Sequence, residues 1–230
     1  MEIKRGWLRD MLSHYGSCSK IAYLGERPVA QILFYPESVT PYIEKPREGV
    51  LHVHCVYNPF PETRGMGASS ALIKSVIQEA RTGLECMKGT NCSFISAEAF
   101  NTGEGLSMES FYSRNGFQKM GDELVLEISG KYVSRTPQVY LPLPDDNGRA
   151  YVLYNPNCEY SYPFAVRIND FIQTLSEGYP TEIINQWTMP AESIRLANHY
   201  LTVNGHQVRS FWAQKEAFRD EVKEYLGNGR

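Results

Sequence analysis

Three short stretches carry residue types able to do chemistry. The first is Arg64-Gly65-Met66-Gly67-Ala68-Ser69-Ser70. Paired glycines let a backbone turn tightly and let another molecule come close to it. Where a helix starts, its first amides lack partners and its dipole favours negative charge. A pyrophosphate fits such a place, and Arg64 adds a cation that can contact phosphate. The second stretch holds His52 and His54, two residues apart and so on one face of a strand. An imidazole titrates near neutral pH and can take the proton of an ammonium; Glu98 is a competing base. The third is Cys158, just ahead of a helical pattern, where a helix N-terminus can lower a thiol's pKa. Each has a plainer reading: an ordinary strand-to-helix turn, two hydrogen-bonded interior histidines, an incidental thiol.

The elements that must position these groups follow from periodicity. Ser19 to Glu26 and Pro28 to Tyr35 read as strands around a Gly25-Glu26-Arg27 turn. Residues 36–49, with Pro36, Pro41 and Pro46, read as a loop. Gly49 to Tyr57 is β-branched-rich and of strand type. Over 68–82 the apolar residues Ala68, Ala71, Leu72, Val76, Ile77 and Ala80 mark one helical face, with Gly83 as the stop. Asn91 to Phe100 reads as a strand, Leu106 to Asn115 as a short helix, and Phe117 to Ile128 as a strand or strand pair. Residues 131–150, with Pro137, Pro142, Pro144 and Asp145-Asp146-Asn147-Gly148, read as a linker. The pattern then restarts: strand 151–154, helix 164–176, strand 181–184, helix 190–199, a hairpin around Asn204-Gly205, and a charged helix over 211–226.

The formal net charge of −3 gives no basic field to favour nucleic acid. No apolar run is long enough to span a bilayer, and the start, Met1-Glu2-Ile3-Lys4-Arg5-Gly6-Trp7, lacks the apolar core of a signal peptide. A cytoplasmic protein with reduced thiols is the expectation, since the five cysteines are odd in number and irregular in spacing. The glycine turn is not a Walker A loop, because no Gly-Lys-Ser/Thr follows. Nor is it the dinucleotide fingerprint, because the third glycine is missing. By strict alternation Cys55 points away from His52 and His54, which weakens a metal site there, and no metal is expected.

One strand and one helix beyond the glycine turn lies Phe111-Tyr112-Ser113-Arg114-Asn115-Gly116-Phe117. Together the two segments resemble the GNAT acetyltransferases. There a strand leads into Arg/Gln-x-x-Gly-x-Gly/Ala and a helix, and a later helix ends in Phe/Leu-Tyr-x-x-x-Gly-Phe. Arg64, Gly67, Phe111, Tyr112, Gly116 and Phe117 match; Ser69 departs, though it is small enough for close approach. The resemblance implies an α/β fold of the GNAT type over 1–130 and an acetyl-CoA-dependent N-acetyltransferase acting by direct transfer. It places CoA on Arg64, Gly65, Met66, Gly67, Ala68, Ser69 and Ser70, with the amides of Cys55 and Val56 on the pantetheine and Asn101 as a further contact. Tyr112 takes the position of the general acid, and His54, His52 or Glu98 would be the base. The acceptor would be an amine-bearing small molecule or peptide, with neither nucleic acid nor membrane as partner, and a homodimer is left open. Only 18 residues precede Ser19, enough for one helix around Trp7 to Tyr15, so the family's opening strand has no counterpart and the acceptor site would be either incomplete or built differently. The alternatives are a CoA-binding regulatory or scaffold module without catalysis, or a thiol activity centred on Cys158.

Residues 151–230 resemble a small thioredoxin-like domain: strand, Cys158-x-x-Ser161, helix, then strand, helix and hairpin. The arrangement of both parts is similar to YoaP-type proteins. Ser161 stands where a second redox cysteine would, so the motif holds no internal dithiol, and no proline stands just before Leu201.

Overall fold

The computed structural model describes residues 2–98 and 107–227. The chain divides into two compact units: Gly6–Thr136, and Pro137–Arg230 together with Met1–Arg5. Both are mixed α/β.

The first unit takes up α1 (Glu2–Tyr15) from Gly6 onward and then runs β1 (Ser19–Leu24), β2 (Arg27–Pro36), β3 (Val50–Tyr57), α2 (Ala68–Thr82), β4 (Phe94–Glu98), α3 (Met108–Arg114), β5 (Gln118–Met120) and β6 (Glu123–Glu127). Its six strands lie in the order β1-β2-β3-β4-β6-β5. Only β3 and β4 run parallel, joined through α2, because a parallel pair needs a long crossover. Leu72, Ile73, Val76, Ile77 and Ala80 recur every three or four residues along α2 and are buried. They pack on Ile32 and Phe34 of β2, Leu51 and Val53 of β3, and Ile95 and Ala97 of β4. Ile73 is 0% exposed, so truncating it to alanine would cost about 2–5 kcal/mol.

β3 departs from the expected alternation. Leu33 pairs with Cys55 but Phe34 pairs with Val53, which leaves His54 as the extra residue of a β-bulge. Past the bulge Val56, not Cys55, packs against the core. The strict period-2 reading of Cys55 therefore fails at that point. The pairing of β3 with β4 spans Val50↔Phe94 to Val53↔Ala97. Beyond it β3 continues to Tyr57 hydrogen-bonded to β2, and among the described residues it has no strand on its other side.

The other face of this sheet carries an ionic cluster. Arg47 bonds Glu37 and, at 2.7 and 2.8 Å, both oxygens of Glu123. Arg135 reaches Glu37 at 2.8 Å, and the Tyr132 hydroxyl donates to Glu123 at 3.1 Å. Residues 131–136 were expected to begin a linker, yet these contacts fasten them to the first unit. Prolines and polar turns look alike in a linker and in a strap held by distant partners; Arg135 and Glu37 are far apart in sequence.

The second unit runs β7 (Ala150–Tyr154), α4 (Ser161–Leu175), β8 (Thr181–Asn185), α5 (Pro190–Arg195), β9 (Leu201–Val203), β10 (His206–Gln207) and α6 (Lys215–Gly227). Its sheet has the order β10-β9-β7-β8, with β7 and β8 parallel and the rest antiparallel. Val152, Ile168, Ile172, Val203, Phe218 and Val222 form its core. Asn204 and Gly205 take φ of 50° and 76° between β9 and β10, the left-handed pair a tight hairpin requires. The later half of the expected linker belongs here. Asp146 accepts from the Tyr140 hydroxyl at 2.7 Å and from Arg195 at 2.9 Å.

Candidate active site

The site begins where β3 ends. The Asn58 side-chain oxygen accepts from the Phe60 amide at 2.9 Å and the Thr63 hydroxyl at 3.1 Å, a turn that asparagine can close on its own backbone. The chain then passes Arg64 and enters α2 through Gly65 and Gly67, at φ 81° and 86°. A side chain is strained in that region. A Cβ at either glycine would meet nothing within 4 Å, so the requirement is conformational and the space in front is open. Gly67 contributes no side-chain cap, and the first helical bond is Ala71 N–H to Gly67 C=O at 2.9 Å. The amides of Ala68, Ser69 and Ser70 are thus left without intrahelical partners.

A cleft of about 540 Å³ opens over this turn. Val56, Arg64, Gly65, Gly67, Ala68, Ser69 and Ser70 line it, seven of the residues expected to hold a cofactor. Met66 instead faces a smaller hollow beside Tyr23 and Leu24. Asn101 lies outside the described residues. The far wall had not been expected: Met108, Phe111, Arg114 and Asn115 of α3 and the turn after it, with Tyr57, Asn58 and Thr63 at the near end. Met108, Phe111 and Asn115 fall at steps of three and four, so a helical-face reading could have found them. The Asn115 side-chain amide donates to the Phe111 carbonyl at 2.8 Å and reaches the Ser70 hydroxyl at 3.5 Å, setting α3 against the first turn of α2. Among the described residues the lining holds two arginines and no carboxylate. Among the described residues neither Arg64 nor Arg114 forms an ion pair. Such a lining suits a polyanion.

Tyr112 is not in the cleft lining. It is 2% exposed, with its ring 5.1 Å from that of Phe117 and 5.2 Å from that of Phe111. Burial first, and the neighbouring Cys55 second, hold its hydroxyl above the ordinary tyrosine range. The group stays protonated at neutral pH and keeps a proton to give. Cys55, on the stretch of β3 that runs past β4, is thereby close to Tyr112.

The histidines lie with the ionic cluster. His54 stacks on Tyr35 with ring centroids 3.6 Å apart, and Trp7 of α1 lies 5.7 Å from Tyr35. The His52 Nδ1 is 2.8 Å from the Ser96 hydroxyl, and the two imidazoles meet edge-on at 4.5 Å. Among the described residues the buried His54 Nε2 has no hydrogen-bond partner. Burial, then His52 and Arg135, push the His54 pKa well below the usual range, and burial does the same to His52 against the opposing pull of Glu98. Both rings are neutral at pH 7. Glu98 is exposed at the end of β4, 3.4 Å from Arg135. Glu37 is fully buried; burial alone would raise its pKa, but hydrogen bonds from Arg47 and Arg135 outweigh it and hold the carboxyl at about 2. Among the described residues no three His, Cys, Asp or Glu side chains are placed to hold a metal, and no helix is long and apolar enough to cross a membrane.

Cys158 is exposed in the turn between β7 and α4. Its amide donates to Asn155 C=O at 3.2 Å, and its carbonyl accepts from Ser161 N–H at 3.2 Å. The helix starts at Ser161, so Cys158 sits before its first amides rather than on them.

No protein-family model and no curated protein matches the sequence. Among solved structures the chain is similar to a GNAT family acetyltransferase from Brucella melitensis in complex with acetyl-CoA, at 16% identity and TM-score 0.38, over 58% of this chain and 73% of that one. It is similar to Ard1 from Thermoplasma volcanium at 14% identity and TM-score 0.38, over 54% and 79%. It is also similar to the PaiA N-acetyltransferase from Thermoplasma acidophilum in complex with coenzyme A, at 15% identity and TM-score 0.33, over 56% and 77%.

Proposed function

We propose that the chain is an acetyl-CoA-dependent N-acetyltransferase that passes the acetyl group directly to an amine of a small molecule or peptide. The observation that carries this reading is the cleft itself. Unpartnered helix amides, two glycines at positive φ and Arg64 line one wall, Arg114 lies on the other, and the stretch of β3 that runs past β4 leads away from them. The phosphates would lie on the amides of Ala68, Ser69 and Ser70 beside Arg64. The pantetheine arm is amide-bearing and extended, and the stretch of β3 past β4, at Cys55 and Val56, can pair with it as a strand would.

The chemistry then needs three things. The amine must be neutral to attack the thioester carbonyl, and His54, neutral and with a free Nε2, can take its proton; Glu98 is the competing base. The carbonyl oxygen gains charge as the amine adds, and a β3 amide can stabilise it. When the carbon–sulfur bond breaks, the thiolate takes a proton from Tyr112 as general acid. A second reading, CoA binding without turnover, has one observation in its favour: Tyr112 is packed within the core.

Calorimetry on the purified chain tests the binding half. Acetyl-CoA should bind and raise the melting temperature by mass action. Gly67→Asp should abolish both, because a side chain and a negative charge would enter the phosphate position. No CoA binding in the wild-type protein would defeat the reading. An acceptor screen that detects released thiol then separates catalysis from binding alone.

For the second unit we read a thioredoxin-like fold. Its sheet order, with β7 and β8 parallel, α4 and α5 between strands and a closing hairpin and helix, supports this. Cys158 and Ser161 occupy the turn where such folds carry their thiols. With serine at the second position the turn would hold or capture a partner through one thiol rather than cycle a dithiol.

A further inference from the structure

We propose that Arg114 binds the 3′-phosphate of coenzyme A and makes the cleft select CoA over its 3′-dephospho form; this rests on the CoA reading above. The argument starts from α3. Met108, Phe111 and Asn115 present one face of that helix to the cleft, and Arg114 lines it at the helix's last residue. The face is apolar at Met108 and Phe111 and cationic where it ends. Three residues of helix advance about 4.5 Å, so a flat heterocycle resting on Phe111 has its sugar beside Arg114.

The phosphates already have another receptor. The unpartnered amides at the start of α2, with Arg64 just ahead of them, supply positive potential for a diphosphate. Asn115 reaches Ser70 at 3.5 Å, so the end of α3 stands directly across from those amides. Arg114 brings a second cation to the opposite wall, and among the described residues no carboxylate in the lining neutralises it. A diphosphate on the amides and Arg64 leaves Arg114 without a counter-charge. A third phosphate on the nucleoside provides it, and guanidinium–phosphate hydrogen bonds are charge-assisted on both sides.

The test is calorimetric titration of the full chain with CoA and with 3′-dephospho-CoA. The wild-type protein should prefer CoA by about tenfold or more, the scale of one charge-assisted hydrogen bond. Arg114→Gln should bring the two affinities together by weakening CoA alone, and Arg114→Lys should restore part of the difference. Arg64→Gln should weaken both ligands by the same factor. Equal wild-type affinities, or an Arg114→Gln that weakens both ligands alike, would overturn the subsite while leaving the CoA reading intact. If neither ligand binds, the CoA reading itself fails and the subsite falls with it. Arg114 is exposed, so its variants should fold, which an unchanged melting temperature without ligand would verify.

Discussion

Burial acts in opposite senses on the two side chains proposed to move protons. It raises the Tyr112 pKa and so keeps the donor loaded; it lowers that of His54 and so keeps the acceptor empty. Tyr112→Phe keeps the ring packing and removes only the hydroxyl. It should lower kcat by about 10²–10⁴-fold, the range for one acid–base group, with CoA affinity nearly unchanged. An unaltered kcat would assign the ring to packing and favour CoA binding without turnover. For His54 the sign of the pH effect is fixed by the direction of the shift. A base works when deprotonated, and a depressed pKa puts that transition below about 6.5, the ordinary histidine value. The rising limb of kcat/KM should therefore lie on the acid side of 6.5 and vanish in His54→Gln; a limb that persists would move the role to Glu98. Sequence pattern found the residues at these places without their surroundings. Spacing singled out both histidines and the family resemblance Tyr112, but the bulge at His54 has no signature in the alternation of His52-Val53-His54-Cys55.

Among the elements, the best-determined is α2, whose expected span of 68–82 is the span observed. Its apolar face, its glycine entry and its glycine exit all lie within the element, so local sequence held the whole specification. The segment 131–136 is the opposite case. What fixes it is the cluster of Glu37, Arg47, Glu123 and Arg135, drawn from four places in the chain, and no local pattern encodes such a meeting. The cluster has a testable pH signature. Glu37 titrates at about 2 in the folded protein against 4.5 for a free glutamate. A depressed carboxylate pKa contributes stability that is fully present above the unfolded value and lost as pH falls through the folded one. Urea midpoints should thus decline between roughly pH 4.5 and 2. Glu37→Gln should flatten that decline, and at pH 7 it should cost about 3–5 kcal/mol by leaving the largely buried Arg47 and the half-buried Arg135 short of a counter-charge. A variant as stable as wild type at pH 7 would show that the cluster is not what holds the segment.

At the scale of the whole molecule, two separate cores and two separate sheets make two folding units the natural expectation. A fragment of residues 137–230 should melt as one cooperative transition with the helical signal that α4 and α6 supply; a featureless melt would make the second unit dependent on the first. Strand and helix patterns restart in the sequence after residue 150, whereas the second compact unit takes up the chain at Pro137. Within it Tyr140 bonds Asp146, and Asp146 meets the distant Arg195, a contact that no local pattern encodes. The distribution of thiols has a further consequence, at the bench. Cys18, Cys86 and Cys92 are buried, and burial lifts the last two to about 12 and about 11, so neither ionises readily near neutral pH. Cys158 alone of the five is exposed and Cys55 is half-buried. A disulfide dye used to follow CoA release should therefore show a prompt burst of one equivalent from the protein before any turnover. Cys158→Ser should silence that background. The same inequality makes Cys158 a ready single point for attaching a fluorophore or spin label to the wild-type chain.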